Sequence, residues 1–223
     1  MLTQLRKLGV SGINKNNSVK FFSAISALAQ LKSLSVRLDK DSENCLEGIA
    51  LPFQSLRSLK LHGLGDKLPA WSEKLTNLRK IDLEMAKILK QTEKTATTEG
   101  VMGFLGLLPD LCILRVRAKQ FQDGEFNVRV VTNGTEDNSF SKVSILEIAC
   151  SSDSHVTFGS KAMKNLELLK VDCSTSGSEY KFTGLENLSE LKEVCLMGSN
   201  YDMLKEDLEN QFTQHRNRPV LKL

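Results

Sequence analysis

The sequence has little of what catalytic and metal sites are usually built from. Its 223 residues include three histidines and five cysteines, and no cysteines form a CxxC pair of the kind that binds zinc or acts as a redox dithiol. The histidines are far apart, and none has a Cys or carboxylate at ligand spacing. The glycine-rich stretch 100–106 lacks the signatures of a dinucleotide-binding turn and of a phosphate loop. We therefore expect no catalytic residues, no metal ligands and no cofactor in this chain.

Long apolar runs are also missing. The most apolar segment, residues 101–114, contains Pro109 and Asp110 and is too short to span a bilayer. The opening "MLTQLRKLGV" has two basic residues but no apolar stretch behind them, so it does not resemble a secretory signal. An odd number of cysteines without close pairing fits a reducing compartment, with Cys150 and Cys173 as small buried residues. We expect a cytoplasmic protein without a membrane span, with the nucleus as a second possible location.

Charge is mild overall and uneven along the chain. The net charge is +3; residues 1–120 hold 19 Lys/Arg against 11 Asp/Glu, a balance of +8, and residues 121–223 hold 11 against 16, a balance of −5. Such asymmetry can steer a charged partner. Aromatic residues make up 6% of the chain and do not interleave with the basic ones, which argues against a nucleic-acid-binding protein.

What the sequence does have is one short repeated pattern, in which apolar residues stand at the first, fourth and sixth positions. It occurs eight times, as Leu5/Leu8/Val10, Leu31/Leu34/Val36, Leu56/Leu59/Leu61, Leu78/Ile81/Leu83, Leu111/Leu114/Val116, Val143/Leu146/Ile148, Leu166/Leu169/Val171 and Leu191/Val194/Leu196. The middle residues are separated by 26, 25, 22, 33, 32, 23 and 25 positions. Most of these steps match the period of a leucine-rich repeat, roughly 20 to 29 residues. The sequence thus predicts an α/β solenoid, a leucine-rich-repeat horseshoe of about eight irregular repeats with parallel strands on its concave face.

Within this fold, residues 1–223 are predicted to form a single leucine-rich-repeat domain, with repeats to about residue 198 and a C-terminal helix-strand cap over 199–223. A helix is expected after Ser18, and insertions at 84–111 and 117–143 are expected to emerge as loops. We call the three apolar residues of each pattern its anchors. The second and third anchors should point into the core. Because side chains alternate along a strand, the residue two positions after the third anchor should also point inward, and the row that these residues form is Gly12, Leu38, Gly63, Met85, Ala118, Cys150, Cys173 and Gly198.

The end of the chain departs from the repeat. Asp202 is a candidate N-cap for an amphipathic helix whose apolar residues are Leu204, Leu208 and Phe212, and residues 218–223 predict a closing strand. No equivalent polar cap precedes Leu5. We therefore expect the chain to begin inside a longer array.

Outward positions of the strands carry the candidate site. The central column reads Gly9, Ser35, Lys60, Asp82, Arg115, Glu147, Lys170 and Cys195, and its charged members alternate in sign. Neighbouring strands lie about 4.8 Å apart, so this column predicts a ladder of surface ion pairs, each contributing roughly 0 to 1 kcal/mol. It also suits a polar recognition strip, and the two interpretations are compatible.

A second outward column contains three adjacent apolar residues. They are either an exposed patch that marks a partner surface or a surface covered by the loop at 119–141. Arginine beside an apolar anchor is the composition of an interface hot spot. The candidate protein-binding residues are therefore Lys60, Asp82, Ile113, Arg115, Arg117, Ile145, Glu147, Leu168 and Lys170.

Several segments resemble a known family. The units "KLPAWSEKLTNLRKIDL" and "LGLLPDLCILRV" and the ending "LKEDLENQFTQHRNRPVLKL" resemble the leucine-rich-repeat domain of plant disease-resistance receptors. More narrowly, they resemble the coiled-coil, nucleotide-binding, leucine-rich-repeat class of cereals, which includes the rice blast receptors. The resemblance implies a module that senses a pathogen effector or a guarded host protein and restrains the receptor's nucleotide-binding switch. The 223 residues themselves contain no phosphate-binding loop or coiled coil, so the resemblance does not imply ATP/ADP binding by this chain.

Two functional hypotheses follow. The first is the recognition and regulatory module of an intracellular plant immune receptor, whose partner is an effector, a host target or the receptor's own nucleotide-binding domain. The second is a leucine-rich-repeat scaffold without a receptor, such as an adaptor or an inhibitor protein. Neither hypothesis identifies the recognised protein, because specificity in such folds lies in the surface and not in the scaffold.

Overall fold

A computed structural model describes residues 4–49, 54–89, 100–132, 135–175 and 178–223. Fourteen strands occur in these ranges: β1 (Lys7–Ile13), β2 (Ser33–Leu38), β3 (Ser58–Leu64), β4 (Lys80–Ile88), β5 (Ile113–Phe121), β6 (Glu125–Val128), β7 (Val130–Thr132), β8 (Thr135–Asp137), β9 (Ile145–Cys150), β10 (Ser154–Phe158), β11 (Leu168–Cys173), β12 (Tyr180–Thr183), β13 (Glu193–Gly198) and β14 (Val220–Lys222). The three α-helices there are α1 (Ser18–Ile25), α2 (Val101–Gly106) and α3 (Asp202–Gln214).

Nine strands form one parallel sheet, the front sheet, in the order β1-β2-β3-β4-β5-β9-β11-β13-β14. Its register aligns the middle anchors of all eight predicted repeats as direct partners, from Leu8 beside Leu34 to Leu169 beside Val194. From Leu34 onward these anchors are at most 2% exposed. The predicted solenoid of parallel strands is therefore confirmed, and its period comes from burying the same apolar triple in every turn.

The predicted inward row is wrong at three glycines. Gly198 keeps the expected register with Cys173 but is exposed at the end of β13. Gly12 and Gly63 are each an extra residue in a β-bulge, so Ile13 pairs with Leu38 and Leu64 pairs with Met85. Gly12 has a φ of 80° and Gly63 a φ of 84°, a backbone region that other residues rarely adopt. Strict alternation therefore stops at the bulge, and Ile13 and Leu64 take the buried positions.

Behind the front sheet, the returns after β1, β3 and β4 contain short helical segments, whereas the described residues of the return after β2 contain turns and no helix. The helix predicted after Ser18 is α1, although Ser18 is its first residue and Asn17 takes the cap position. A 3-10 helix spans Ala70–Lys74, and its Trp71 packs against Phe22 of α1 with ring centroids 6.2 Å apart. The next return contains α2, and the polar part of its insertion, residues 90–99, lies outside the described residues.

Later repeats return through a second parallel sheet, the rear sheet, in the order β12-β10-β6. The apolar repeat did not predict this sheet, and part of the insertion expected to form a loop at 117–143 is in fact β6. Every second side chain is buried, as in the row Phe126, Val156 and Phe182, whose members are direct partners. The same insertion also contains the antiparallel strand pair β7–β8, between which residues 133 and 134 lie outside the described ranges.

Tyr180 joins the rear sheet to the ends of two front strands. Its hydroxyl accepts a hydrogen bond from the backbone N–H of Cys150 and lies 3.4 Å from the Cys150 carbonyl oxygen and 3.3 Å from that of Asp172. Burial raises the pKa of Tyr180 well above its usual value, although the hydrogen bond from Cys150 opposes this. The phenol therefore fixes the spacing between β9, β11 and β12.

The C-terminal cap is confirmed. Helix α3 buries Leu204, Leu208 and Phe212, and strand β14 pairs with β13 so that Leu221 stands beside Val194. The predicted N-cap is displaced by one residue, since Asp202 is the first helical residue and Tyr201 caps it. His215 closes the helix end through a 3.1 Å hydrogen bond between its Nε2 and the carbonyl oxygen of Leu185.

Candidate functional site

The nine candidate residues form one continuous area of the concave face, the outward side of the front sheet. The central column pairs in direct register along the members Lys60, Asp82, Arg115, Glu147 and Lys170. Ile113, Ile145 and Leu168 are likewise direct partners, and Arg117 stands between Glu84 and Ala149. Alignment of equivalent repeat positions therefore predicted the correct neighbours for the nine candidate residues, because parallel strands keep one register.

Asp82 is the centre of this area. It is 2% exposed, although it points to the outward side of β4. Its Oδ1 accepts hydrogen bonds from Arg117 Nη1 at 2.7 Å and from His62 Nε2 at 3.1 Å. Its Oδ2 lies 3.6 Å from Lys60 Nζ and 4.0 Å from Arg115 Nη1. A buried carboxylate is stable only with such partners.

Glu147 joins the two arginines from the other side. Arg115 Nε donates to Glu147 Oε2 at 2.8 Å, and Arg117 Nη2 donates to Glu147 Oε1 at 3.0 Å. Arg117 therefore bridges Asp82 and Glu147 across β5, the strand between them. The ladder of ion pairs predicted for the central column is present from Lys60 to Glu147, with Arg117 of the next column added to it.

His62 extends these contacts towards β2. Asp82 can only accept a hydrogen bond, so Nε2 of His62 carries the proton. Nδ1 lies 3.0 Å from Arg37 Nη2. Glu84 completes the group, with its Oε2 3.9 Å from Arg37 Nη1 and 3.6 Å from His62 Nδ1. We call these eight residues the charge network: Arg37, Lys60, His62, Asp82, Glu84, Arg115, Arg117 and Glu147.

The charge network controls the ionisation of Asp82. Burial alone would raise the pKa of this carboxyl group, but the hydrogen bond from His62 and the charges of Arg117 and Lys60 outweigh it and lower the pKa to about 2, from an ordinary 3.8. Asp82 is therefore ionised throughout the physiological range. Its role is to hold cations in place, and no proton transfer follows from this geometry.

The remaining candidates are not part of the network. Lys170 makes no ion pair within 4 Å to any residue that the structure describes. Ile113, Ile145 and Leu168 are each half-buried, so solvent reaches them in part. The loop suggested as their cover instead places residues 125–128 in the rear sheet, and its β7 packs against α2.

Three network members escaped the sequence reasoning, namely Arg37, His62 and Glu84. A signal existed, because these residues occupy the outward column next to the central one in three successive repeats. The sequence prediction paired residues only within one column, whereas the contacts of Asp82 with His62 and Arg117 join two columns. Across the described ranges, no group of three or more His, Cys, Asp or Glu side chains is placed to hold a metal ion, and no helix there is long and apolar enough to cross a membrane.

Comparison with known families gives one match. A family model described as a leucine-rich repeat region matches residues 1–221, so the chain belongs to that family. Regions of this kind are scaffolds for protein–protein interaction and are typically not catalytic. The comparison with curated proteins gave no match.

Proposed function

We propose that this leucine-rich-repeat chain is the recognition and regulatory region of an intracellular plant immune receptor. In this role it senses a pathogen effector or a guarded host protein in the cytoplasm or nucleus. Between such encounters it restrains a nucleotide-binding switch whose release leads to the hypersensitive response. Support for the plant receptor comes from the resemblance of the repeat units and of the helix-strand ending to that family.

The observation that carries the recognition role is the neighbourhood of Ile113, Ile145 and Leu168. These three side chains are direct partners on adjacent strands and are half-buried on the outward side of the sheet. A contiguous apolar area beside charged residues is typical of a protein-binding surface. Lys170, next to Leu168 and without an ion pair among the described residues, adds a charge that a partner can neutralise.

Arg115 and Arg117 contribute differently from what their composition predicts. Both guanidinium groups already pair with Asp82 and Glu147. A partner would have to compete with these bonds, so it gains little from the arginines themselves. Their role in the proposal is to keep the surface next to the apolar residues in one geometry.

The test uses a variant that removes the apolar area and leaves the charge network intact: Ile113→Thr/Ile145→Thr/Leu168→Thr. Threonine keeps the strand preference of isoleucine. The matched control changes three exposed apolar residues elsewhere, Val19→Thr/Leu107→Thr/Met203→Thr, whose exposed fractions are 68%, 46% and 75%. Each immobilised protein is incubated with extracts of healthy and pathogen-challenged cereal leaf, and retained proteins are identified by mass spectrometry.

We expect an effector, a host protein or a nucleotide-binding receptor fragment to be retained by the wild type and the control and lost by the patch variant, with affinity then measured on the purified pair. If all captured proteins survive the patch substitutions in a folded variant, the recognition surface is assigned wrongly. If a partner depends on the patch but is unrelated to challenge or to a receptor, the immune role fails and the scaffold remains.

A further inference from the structure

A basic row runs along one edge of the front sheet. The residue directly after the first apolar residue of each repeat is basic four times in succession: Arg6, Lys32, Arg57 and Arg79. In the next three repeats the same position holds Cys112, Ser144 and Glu167, and in the eighth it holds Lys192, which pairs with Glu167. An uninterrupted basic row without ion pairs among the described residues is therefore a property of the first four repeats.

The backbone holds this row in place. The carbonyl oxygen of Arg6 accepts from the N–H groups of Lys32 and Ser33 at 2.8 and 3.0 Å. Lys32, Arg57 and Arg79 repeat the same paired arrangement with the following strand. Neighbouring residues of the row are one strand spacing apart, about 4.8 Å. The four basic residues therefore stand at regular intervals along the amino edge of the sheet.

The row differs from the charge network in having no ion pair among the described residues. Within the described ranges, none of its four side chains makes an ion pair within 4 Å, whereas Arg115 and Arg117 of the network each pair with Asp82 and Glu147. Four neighbouring cations without ion pairs give the amino edge a positive potential.

A groove of about 370 Å³ follows the row. Three cations, Lys32, Arg57 and Arg79, line it together with three side-chain amides, Gln30, Gln54 and Asn77. These groups present N–H donors along three successive repeats, although Asn77 Nδ2 already donates to the backbone carbonyl oxygen of Gln54 at 2.8 Å. At one end stands Asp110, whose Oδ1 is bound by Lys142 at 2.6 Å. The hydrogen bond from Lys142 and, to a smaller extent, the charge of Arg79 lower the pKa of Asp110, so this carboxylate acts mainly on Lys142 and only in part on the row.

We propose that this amino-edge groove binds an acidic polypeptide segment, with one Asp or Glu carboxylate opposite each cation. This proposal shares one premise with the proposed function, namely that the chain binds another protein. Successive turns of a helix are 5.4 Å apart, so carboxylates at i and i+4 match the cation spacing. Long Lys and Arg side chains can also reach the wider spacing of alternate residues in an extended chain, roughly 6.7 Å.

Two other classes of polyanion fit less well. Binding of single-stranded nucleic acid relies on aromatic side chains for base stacking, and none of the described residues that line the groove is aromatic. Peripheral membrane binding needs an apolar residue that enters the bilayer beside the cations. The exposed large apolar side chains of the described residues are Val19, Leu107, Met203, Val220 and Leu223, and none of them lines the groove.

The experiment measures fluorescence polarisation of a fluorescein-labelled peptide containing six consecutive glutamates, with the glutamine version as the uncharged probe. The groove variant is Lys32→Glu/Arg57→Glu/Arg79→Glu. The control, Lys20→Glu/Lys67→Glu/Lys74→Glu, makes the same change in net charge at three exposed lysines elsewhere. Unlabelled twelve-residue oligothymidylate and vesicles containing phosphatidylserine serve as competitors, and salt is varied from about 0.05 to about 0.2 M.

We expect saturable binding of the glutamate peptide that weakens with salt. It should fall about tenfold or more in the groove variant and stay within about twofold of the wild type in the control. Absence of saturable binding, an equal loss in both variants, or tighter binding of the oligonucleotide or the vesicles would each overturn the proposal. The patch variant Ile113→Thr/Ile145→Thr/Leu168→Thr should bind the peptide normally, so failure here is distinct from failure of the concave-face proposal.

Discussion

Two parts of this chain solve the same packing problem in different ways. Behind β1, β3 and β4, the returns contain short helical segments, namely α1, the 3-10 helix at Ala70–Lys74 and α2. Behind β5, β9 and β11, the returns are the strands β6, β10 and β12 of the rear sheet. The front anchors are equivalent in both parts, so the front pattern does not determine what covers the core from behind.

The difference teaches how strongly neighbouring repeats are coupled. A helical return keeps its backbone hydrogen bonds to itself, so it touches the next repeat only through side chains. A strand of the rear sheet shares its backbone hydrogen bonds with the neighbouring repeats. Repeats five to seven are thus joined by two ladders, and we expect them to open together, whereas the first repeats can open singly.

The largest expected effect breaks the rear sheet at Phe182. This residue is 1% exposed and stacks on Phe158 and Tyr180, so Phe182→Ala should lower the free energy of unfolding by roughly 3 to 5 kcal/mol, as measured by urea titration. Hydrogen exchange should then accelerate in β6, β10 and β12 together. The matched variant is Phe22→Ala, at an equally buried residue of α1. Its faster exchange should stay near α1, and equal spreading in both variants would contradict the comparison.

A smaller effect separates the buried charge network from the exposed ion pairs of the later repeats. The folded pKa of Asp82 is about 2, below its ordinary 3.8, so its contribution is present above about pH 4 and is lost as pH falls through about 2. A shift of this size corresponds to about 2 kcal/mol. We expect Asp82→Asn to cost about that much at pH 7 in denaturant titrations, and the difference from wild type to shrink below pH 4.

The control for Asp82 is Glu167→Gln. Glu167 pairs with Lys192 at 3.0 Å, but both side chains are more than half exposed, so solvent screens the pair and the change should cost less than about 0.5 kcal/mol. A cost at Glu167 as large as that at Asp82 would mean that burial does not distinguish the two regions.

The smallest effect concerns the bulge in β3. Alanine at Gly63 would keep a φ of 84° and place its Cβ 3.3 Å from that of Leu38, so Gly63→Ala should cost about 1 to 2 kcal/mol. Gly9 lies in β1, where an added Cβ would be 3.9 Å from that of Ser35 without a positive φ. Gly9→Ala should therefore be neutral or slightly stabilising in a thermal melt. A neutral Gly63→Ala would show that the bulge can relax.

The front sheet could be predicted from the sequence because the apolar triple sets both the strand and its register. The bulges could not, since alternation carries no information on where glycine adopts a positive φ. The rear sheet has a weaker sequence signal, a pair of apolar residues two positions apart, such as Phe126 and Val128 or Val156 and Phe158. Such a pair is too short to stand out beside the repeated leucine pattern. The assignment of residues 1–223 to a single domain stays a prediction.

The candidate site was predictable as a set of neighbours but not as a set of free groups. Register placed Arg115 and Arg117 beside Asp82 and Glu147, yet their use as interface residues assumed that the guanidinium groups were available. Pairing depends on the side-chain conformers and on the burial of Asp82. Neither can be derived from the alignment of repeat positions in the sequence. The partner-binding role of all nine candidate residues therefore remains a prediction.

The chain contains one tryptophan and two tyrosines. Trp71 and Tyr180 are intrinsic spectroscopic probes of two different parts of the molecule. Trp71 is buried behind the first repeats, whereas the phenol of Tyr180 is locked between the later ones. Tryptophan fluorescence would thus follow the first repeats. Phenolate absorbance in alkaline solution comes from both tyrosines, Tyr180 and Tyr201. Because burial raises the pKa of Tyr180, the share that belongs to Tyr180 would appear only when the later repeats open. One unlabelled sample can therefore report on each part separately.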